Sequence, residues 1–112
     1  MLFHHFGLAT NNRKKSEEFL IKTGYKKQSS FLEKKQKVKL SFFKSRGKPT
    51  IEVITPLSKK SPINSYLKKF DAMFYHMCFE VNKKLNVKKF CSEYAALCII
   101  APYKSSVFKG KK

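Results

Sequence analysis

With 112 residues, 42% hydrophobic and 14% aromatic content, the chain supports one modest core, and its apolar content excludes disorder. Its 25 Lys and Arg against 7 acidic residues give a formal charge of +18, enough to attract polyanions in a salt-sensitive way. That charge is spread from Lys14 to Lys112, and only Arg13 and Arg46 carry the two-pronged guanidinium that grips phosphate or guanine, so nucleic-acid binding stands as a minor alternative.

In chain order, "LFHHFGLAT" (2–10) is apolar and aromatic and reads as a buried strand. Asn11 or Asn12 can cap the helix "NRKKSEEFLIKTG", whose inner face is expected at Phe19, Leu20 and Thr23, with Gly24 as its stop. "YKKQSSFLE" and "KVKLSFFKS" follow as strands, the second alternating at Val38, Leu40 and Phe42. "SRGKP" turns the chain into a fourth strand, "TIEVITPL", ended by Pro56. "SKKSPINSYLKKF" is a connector with Ser61 as N-cap and Pro62 opening a short helix. Then come a strand "AMFYHMCFEV" (72–81), a helix "NKKLNVKKFCSEYA", a strand "LCIIAP" and an unpatterned tail.

No apolar run approaches the roughly 18–20 residues of a membrane span. "MLFHHFGLAT" lacks the basic segment of a signal peptide, so a cytoplasmic protein without membrane association is expected. Cys78, Cys91 and Cys98 show no C-x-x-C spacing and read as reduced core residues.

The order β-α-β-β-β therefore starts again after the connector. Laying His5 on His76 (an offset of 71, 76 − 5) pairs Phe3 with Phe74, Asn11 with Asn82 and Phe19 with Phe90, which reads as an internal duplication. Period-two geometry puts Phe3, His5 and Gly7 on one face of the first strand, and Phe74, His76 and Cys78 on the matching face of its repeat. His4 points the other way and is expected to take no part in a site. Glu52 lies within an apolar strand, where an unpaired carboxylate is costly to bury. Two imidazoles and one carboxylate on neighbouring strands form a facial set suited to a divalent transition metal. The bland alternatives are two satisfied core histidines and a Glu52 paired with a lysine.

With "FHHFGLA", "QKVKLSFF", "IEVITPLSKKSPINSYLKKF" and "FYHMCFEV" in this order over residues 2–103, the chain resembles the vicinal oxygen chelate superfamily. That superfamily includes glyoxalase I, extradiol dioxygenases, bleomycin-resistance proteins and methylmalonyl-CoA epimerase, and the epimerase branch is the most similar. The resemblance implies an α+β fold of paired βαβββ modules round a shared cleft: module one at about 1–58, a connector at 59–71 and module two at 72–112. It implies His5, Glu52 and His76 as ligands of a divalent ion (Co, Ni, Mn, Zn or Fe) that binds adjacent substrate oxygens and stabilises an enolate.

Two departures accompany the resemblance. Leu40 stands where the epimerases carry a proton-transfer glutamate. The chain ends where two further strands are expected, the last bearing a glutamate that is a fourth ligand, so module two is expected to be incomplete. The expected function is a glyoxalase- or epimerase-like lyase or isomerase, with a degenerate site, acting on a small carbonyl compound or acyl thioester such as an anionic CoA ester. The alternative is a protein of the same fold that sequesters a small ligand without turnover. A homodimer or a partner chain is expected to cover the incomplete sheet.

Overall fold

The computed structural model describes residues 2–81 and 86–93. Its elements are β1 (Leu2–Thr10), α1 (Arg13–Lys22), β2 (Lys26–Glu33), β3 (Val38–Lys44), β4 (Ile51–Pro56), a 3-10 turn at Pro62–Ser65, β5 (Ala72–Glu80) and α2 (Val87–Glu93). The fold is α+β and follows the expected order through the second helix; the strand expected at 97–102 lies outside the described residues. Phe3–Phe79 form one compact unit, and Leu2 with the described residues from Glu80 onward belong to another.

The sheet order is β2-β3-β4-β1-β5. β2, β3 and β4 form an antiparallel meander, and β4 returns parallel to β1. Parallel neighbours need a long crossover, which α1, β2 and β3 supply. Gly24 (φ 104°) ends the helix and Gly47 (φ 75°) turns β3 into β4, both in the left-handed region that a side chain disfavours.

Asn12 is the cap of α1, its Oδ1 accepting the Lys15 N–H at 3.1 Å. Asn11 instead donates its backbone N–H to Asp71 O at 2.8 Å, tying the end of β1 to the start of β5. The expected inner face of α1 needs correction: Leu20 is buried, but Phe19 is 65% exposed and Thr23 is exposed too. The inward stripe runs through Arg13, Ser16, Glu17 and Leu20, at the i, i+3, i+4, i+7 spacing of one helix face. Two of its polar members have partners, Ser16 Oγ donating to Thr10 Oγ1 at 2.8 Å and Lys27 Nζ lying 3.2 Å from Glu17 Oε1.

Leu20, Tyr25, Phe43, Ile51 and Val53 form the core beneath α1, with Phe6 and Leu8 packed against it. The opposite face of the sheet is also buried, so β3 hides both sets of alternating residues, Val38, Leu40 and Phe42 as well as Ser41 and Phe43. Ile63 and Leu67, from the connector, are buried as well. Ser61 makes no cap bond; its hydroxyl donates to Gln36 O at 2.7 Å and pins the connector to the β2–β3 turn.

In the second unit the described helix α2 begins after Asn86, whose Oδ1 accepts the Lys89 N–H at 3.0 Å. The expected cap Asn82 lies outside the described residues. Cys78 is only half-buried, which corrects its reading as a core residue; the side chain of Cys91 and all of Cys98 fall outside the described residues.

Candidate metal centre

The pairing register explains how the site is assembled. Phe42 on β3, Glu52 on β4 and Gly7 on β1 lie opposite one another in a single row across three strands. The adjoining row, Leu40, Ile54 and Ala9, is wholly apolar and buried. His5 precedes Gly7 by two residues and shares its face. His76 reaches the same row from β5, and its ring fills the space above Gly7 where any other residue would carry a Cβ.

The three side chains converge at their tips. His5 Nε2 is 3.1 Å from Glu52 Oε1 and 3.2 Å from His76 Nε2, and His76 Nε2 is 3.3 Å from the same Glu52 oxygen. His5 is 2% exposed and Glu52 7%, while the His76 side chain keeps 20%. Among the described residues these three form a group able to hold a metal ion. Glu52 therefore meets two imidazoles, and the alternative of a lysine partner is set aside.

The triangle fits a metal. At bond lengths of about 2.1 Å, ligand atoms on an octahedral face lie about 3.0 Å apart and those on a tetrahedral face about 3.4 Å apart. Edges of 3.1, 3.2 and 3.3 Å fall between the two. The donor set of two nitrogens and one carboxylate oxygen is the facial type that leaves positions open for a ligand. Protons satisfy the triangle less well, because with each ring donating to Glu52 the two Nε2–H groups face each other at 3.2 Å with no acceptor between them.

The electrostatics suit a cation. Burial pushes the Glu52 carboxyl up, but hydrogen bonds from His5 and His76, with the attraction of those rings, outweigh it and leave the carboxyl below its usual range. Glu52 is thus ionised at neutral pH. The surroundings hold the rings in place: Phe42 presents itself edge-on to His5 at 5.2 Å and 85°, and Tyr75 packs against His76 at 4.5 Å and 76°.

Two participants escaped the sequence reading. Gly7 makes room for His76, and a glycine inside a strand is itself a sign of close approach. His4, expected to point away, has Nδ1 2.7 Å from His5 Nδ1. Alternation fails there because the β1–β4 ladder spans Phe6–Ala9, so β4 does not hold the pleat at His4.

Comparison with known proteins gives a family and a set of similar folds. The family model described as the Glyoxalase/Bleomycin resistance protein/Dioxygenase superfamily matches residues 4–100. The fold is similar to methylmalonyl-CoA epimerase from Mycobacterium tuberculosis, with a TM-score of 0.72 and 16% identity over 83% of this chain and 63% of that one. It is also similar to a variant of the Streptomyces coelicolor epimerase in complex with 2-nitronate-propionyl-CoA, with a TM-score of 0.74 and 17% identity over 95% and 81%. A hypothetical protein from Bacillus halodurans gives a TM-score of 0.66 and 23% identity over 83% and 65%. The chain thus spans less than two thirds of the M. tuberculosis and B. halodurans proteins. A search of curated protein sequences returned no match. Matched over nearly its whole length by that family model, the chain belongs to the glyoxalase/bleomycin resistance protein/dioxygenase superfamily.

Proposed function

We propose that His5, Glu52 and His76 ligate a divalent metal ion, and that the chain uses it in glyoxalase- or epimerase-like chemistry on a small carbonyl compound or acyl thioester. The observation that carries this is the triangle of 3.1, 3.2 and 3.3 Å drawn by one carboxylate oxygen and two ring nitrogens. A bound divalent cation would supply fixed positive charge where negative charge develops on the substrate's oxygens as a neighbouring carbon gives up its proton.

The residues of the chain have separate tasks. Glu52 and the two imidazoles hold the cation from one side. Phe42 and the row Leu40, Ile54 and Ala9 keep that side dry, which strengthens every charge interaction at the tips. The His76 side, being more exposed, is the side from which a ligand enters. The lysine-rich surface suits an anionic substrate such as a CoA ester, the ligand class named in the Streptomyces complex. In the same proposal, residues 1–58 are the first module, 59–71 the connector and 72–112 the start of a second. The exposed Phe74, Met77 and Phe79 of β5 support a homodimer.

A second reading, sequestration without turnover, is favoured by Leu40. It is buried at 9% in the row next to Glu52, and a leucine moves no proton. The two readings separate in one experiment with methylmalonyl-CoA as probe in D2O and added Co2+. Saturable binding lost in the His5→Ala, His76→Ala double variant, together with deuterium wash-in beside the thioester, supports an enzyme. The same binding without wash-in supports sequestration. Binding indifferent to both histidines would sink the proposed site.

A further inference from the structure

His5 presents only one of its ring nitrogens to the convergence point; the other meets His4, with Nδ1 to Nδ1 at 2.7 Å. Two ring nitrogens at that distance share one proton, so one ring donates and the other accepts. If His5 donates, its proton sits on Nδ1 and the Nε2 lone pair points at Glu52 Oε1 and His76 Nε2. If His4 donates, His5 must accept at Nδ1, and its proton moves to Nε2, inside the triangle. The tautomer of His4 and the metal-binding competence of His5 are therefore the same variable, with no change in net charge.

We infer that His4 is a positioning residue for the metal centre: when a cation takes the place of the Nε2–H that His5 otherwise donates to Glu52, His4 Nδ1 accepts the His5 Nδ1–H and holds His5 in the metal-binding tautomer. The inference rests on the metal reading of His5, Glu52 and His76. Ligating histidines are usually oriented by a hydrogen bond at the second ring nitrogen, from a carboxylate, a carbonyl or water. In this chain another imidazole stands there, supplied by the preceding residue of the same strand. Packing alone is a weaker account of His4. Its ring also lies edge-on to Phe42 with centroids 6.2 Å apart, a contact that a phenylalanine at position 4 keeps while losing the acceptor.

That difference sets the test. Zn2+ affinity is measured by competition with a chromophoric chelator for the full chain, for His4→Phe, for His4→Asn and for His76→Ala. Ring 15N shifts report the tautomers of His4 and His5 in the zinc-loaded wild type. Removing an orienting partner typically weakens a metal site about 10–100-fold, which is the loss expected for His4→Phe. His4→Asn, whose side-chain oxygen takes the place of the His4 Nδ1 acceptor, recovers most of that loss. The wild-type spectrum shows His5 protonated at Nδ1 and His4 at Nε2. Wild-type affinity in His4→Phe, or a His5 protonated elsewhere than Nδ1, overturns the role of His4 and leaves the metal site standing. Zinc affinity of the wild type no better than that of His76→Ala removes the metal site, and the role of His4 with it. The tautomer measurement uses the wild type alone, so it decides the question even if a His4 variant fails to fold.

Discussion

Gly7→Ala is the smallest change that tests how the site is built. A Cβ at Gly7 comes within 2.6 Å of three atoms of the His76 ring, Cε1, Nε2 and Nδ1, against the 3.4 Å at which ordinary contact begins. The nearest ring atom, Cε1 at 2.3 Å, must therefore retreat by about 1.1 Å (3.4 − 2.3), the methyl group being fixed to the strand. Its Nε2 now lies 3.2 and 3.3 Å from the other two corners, so a retreat of that size opens the triangle. Gly7 is not in the left-handed region, and alanine suits its backbone. His76, still 20% exposed, can swing outward, and the fold then loses less than the roughly 1–3 kcal/mol of a trapped overpacked residue. The expected outcome is a folded protein whose Co2+ or Zn2+ affinity falls at least about 100-fold, toward that of His76→Ala. Titration against a competing chelator reads the affinity, and a thermal melt of the metal-free protein reads the fold. In the His76→Ala background the obstacle is gone, and Gly7→Ala becomes neutral or stabilising by about 0.4–1 kcal/mol. Wild-type metal affinity in Gly7→Ala would refute this reasoning, because the ring would then have no need of the space.

Glu52→Gln keeps the shape of the side chain and removes its charge; metal binding should fall at least about 10-fold while the metal-free protein stays folded, read by the same titration and melt. The Glu52 carboxyl is held below its usual 4.5 in the folded state, so the unfolded chain takes up its proton first as pH falls. Stability from this group is then complete above about pH 4.5 and lost as pH drops through the folded value, and acid melts of Glu52→Gln should lack that component. Phe42→Ala empties a site that is 4% exposed and removes the edge-on support of His5; a loss of about 3–5 kcal/mol in urea denaturation is expected, and a loss below about 1 kcal/mol would contradict its place in the core. Light scattering after size exclusion should give twice the 13.1 kDa of one chain, and a monomer at high concentration counts against the homodimer.

The three converging residues were legible because strands obey a strict period. Once the repeat set His5 against His76, alternation fixed their faces, and a carboxylate within "TIEVITPL" had to find partners. What alternation cannot give is depth or close approach. Gly7 contributes by lacking a side chain, and a single glycine in a strand carries that message only faintly. His4 broke the pattern because it lies beyond the stretch of β1 paired to β4, where the pleat is not enforced from that side. The inner face of α1 was misplaced by one position for a different reason. Hydrophobicity pointed to Phe19, while the buried stripe carries Ser16 and Glu17, whose partners Thr10 on β1 and Lys27 on β2 the sequence does not show to lie beside the helix. At the helix start, two adjacent asparagines were equally good candidates, and they are separated by the Asn12 Oδ1 bond to the Lys15 N–H and the pairing of Asn11 with Asp71.

The proposed centre stands or falls on metal content. Elemental analysis of the purified chain, set beside the His5→Ala, His76→Ala double variant, should give close to one divalent ion per wild-type chain and almost none in the variant. Equal and negligible metal in both, after incubation with Co2+, Ni2+, Mn2+ and Zn2+ in turn, would mean that the two imidazoles and the Glu52 carboxylate meet without a cation between them.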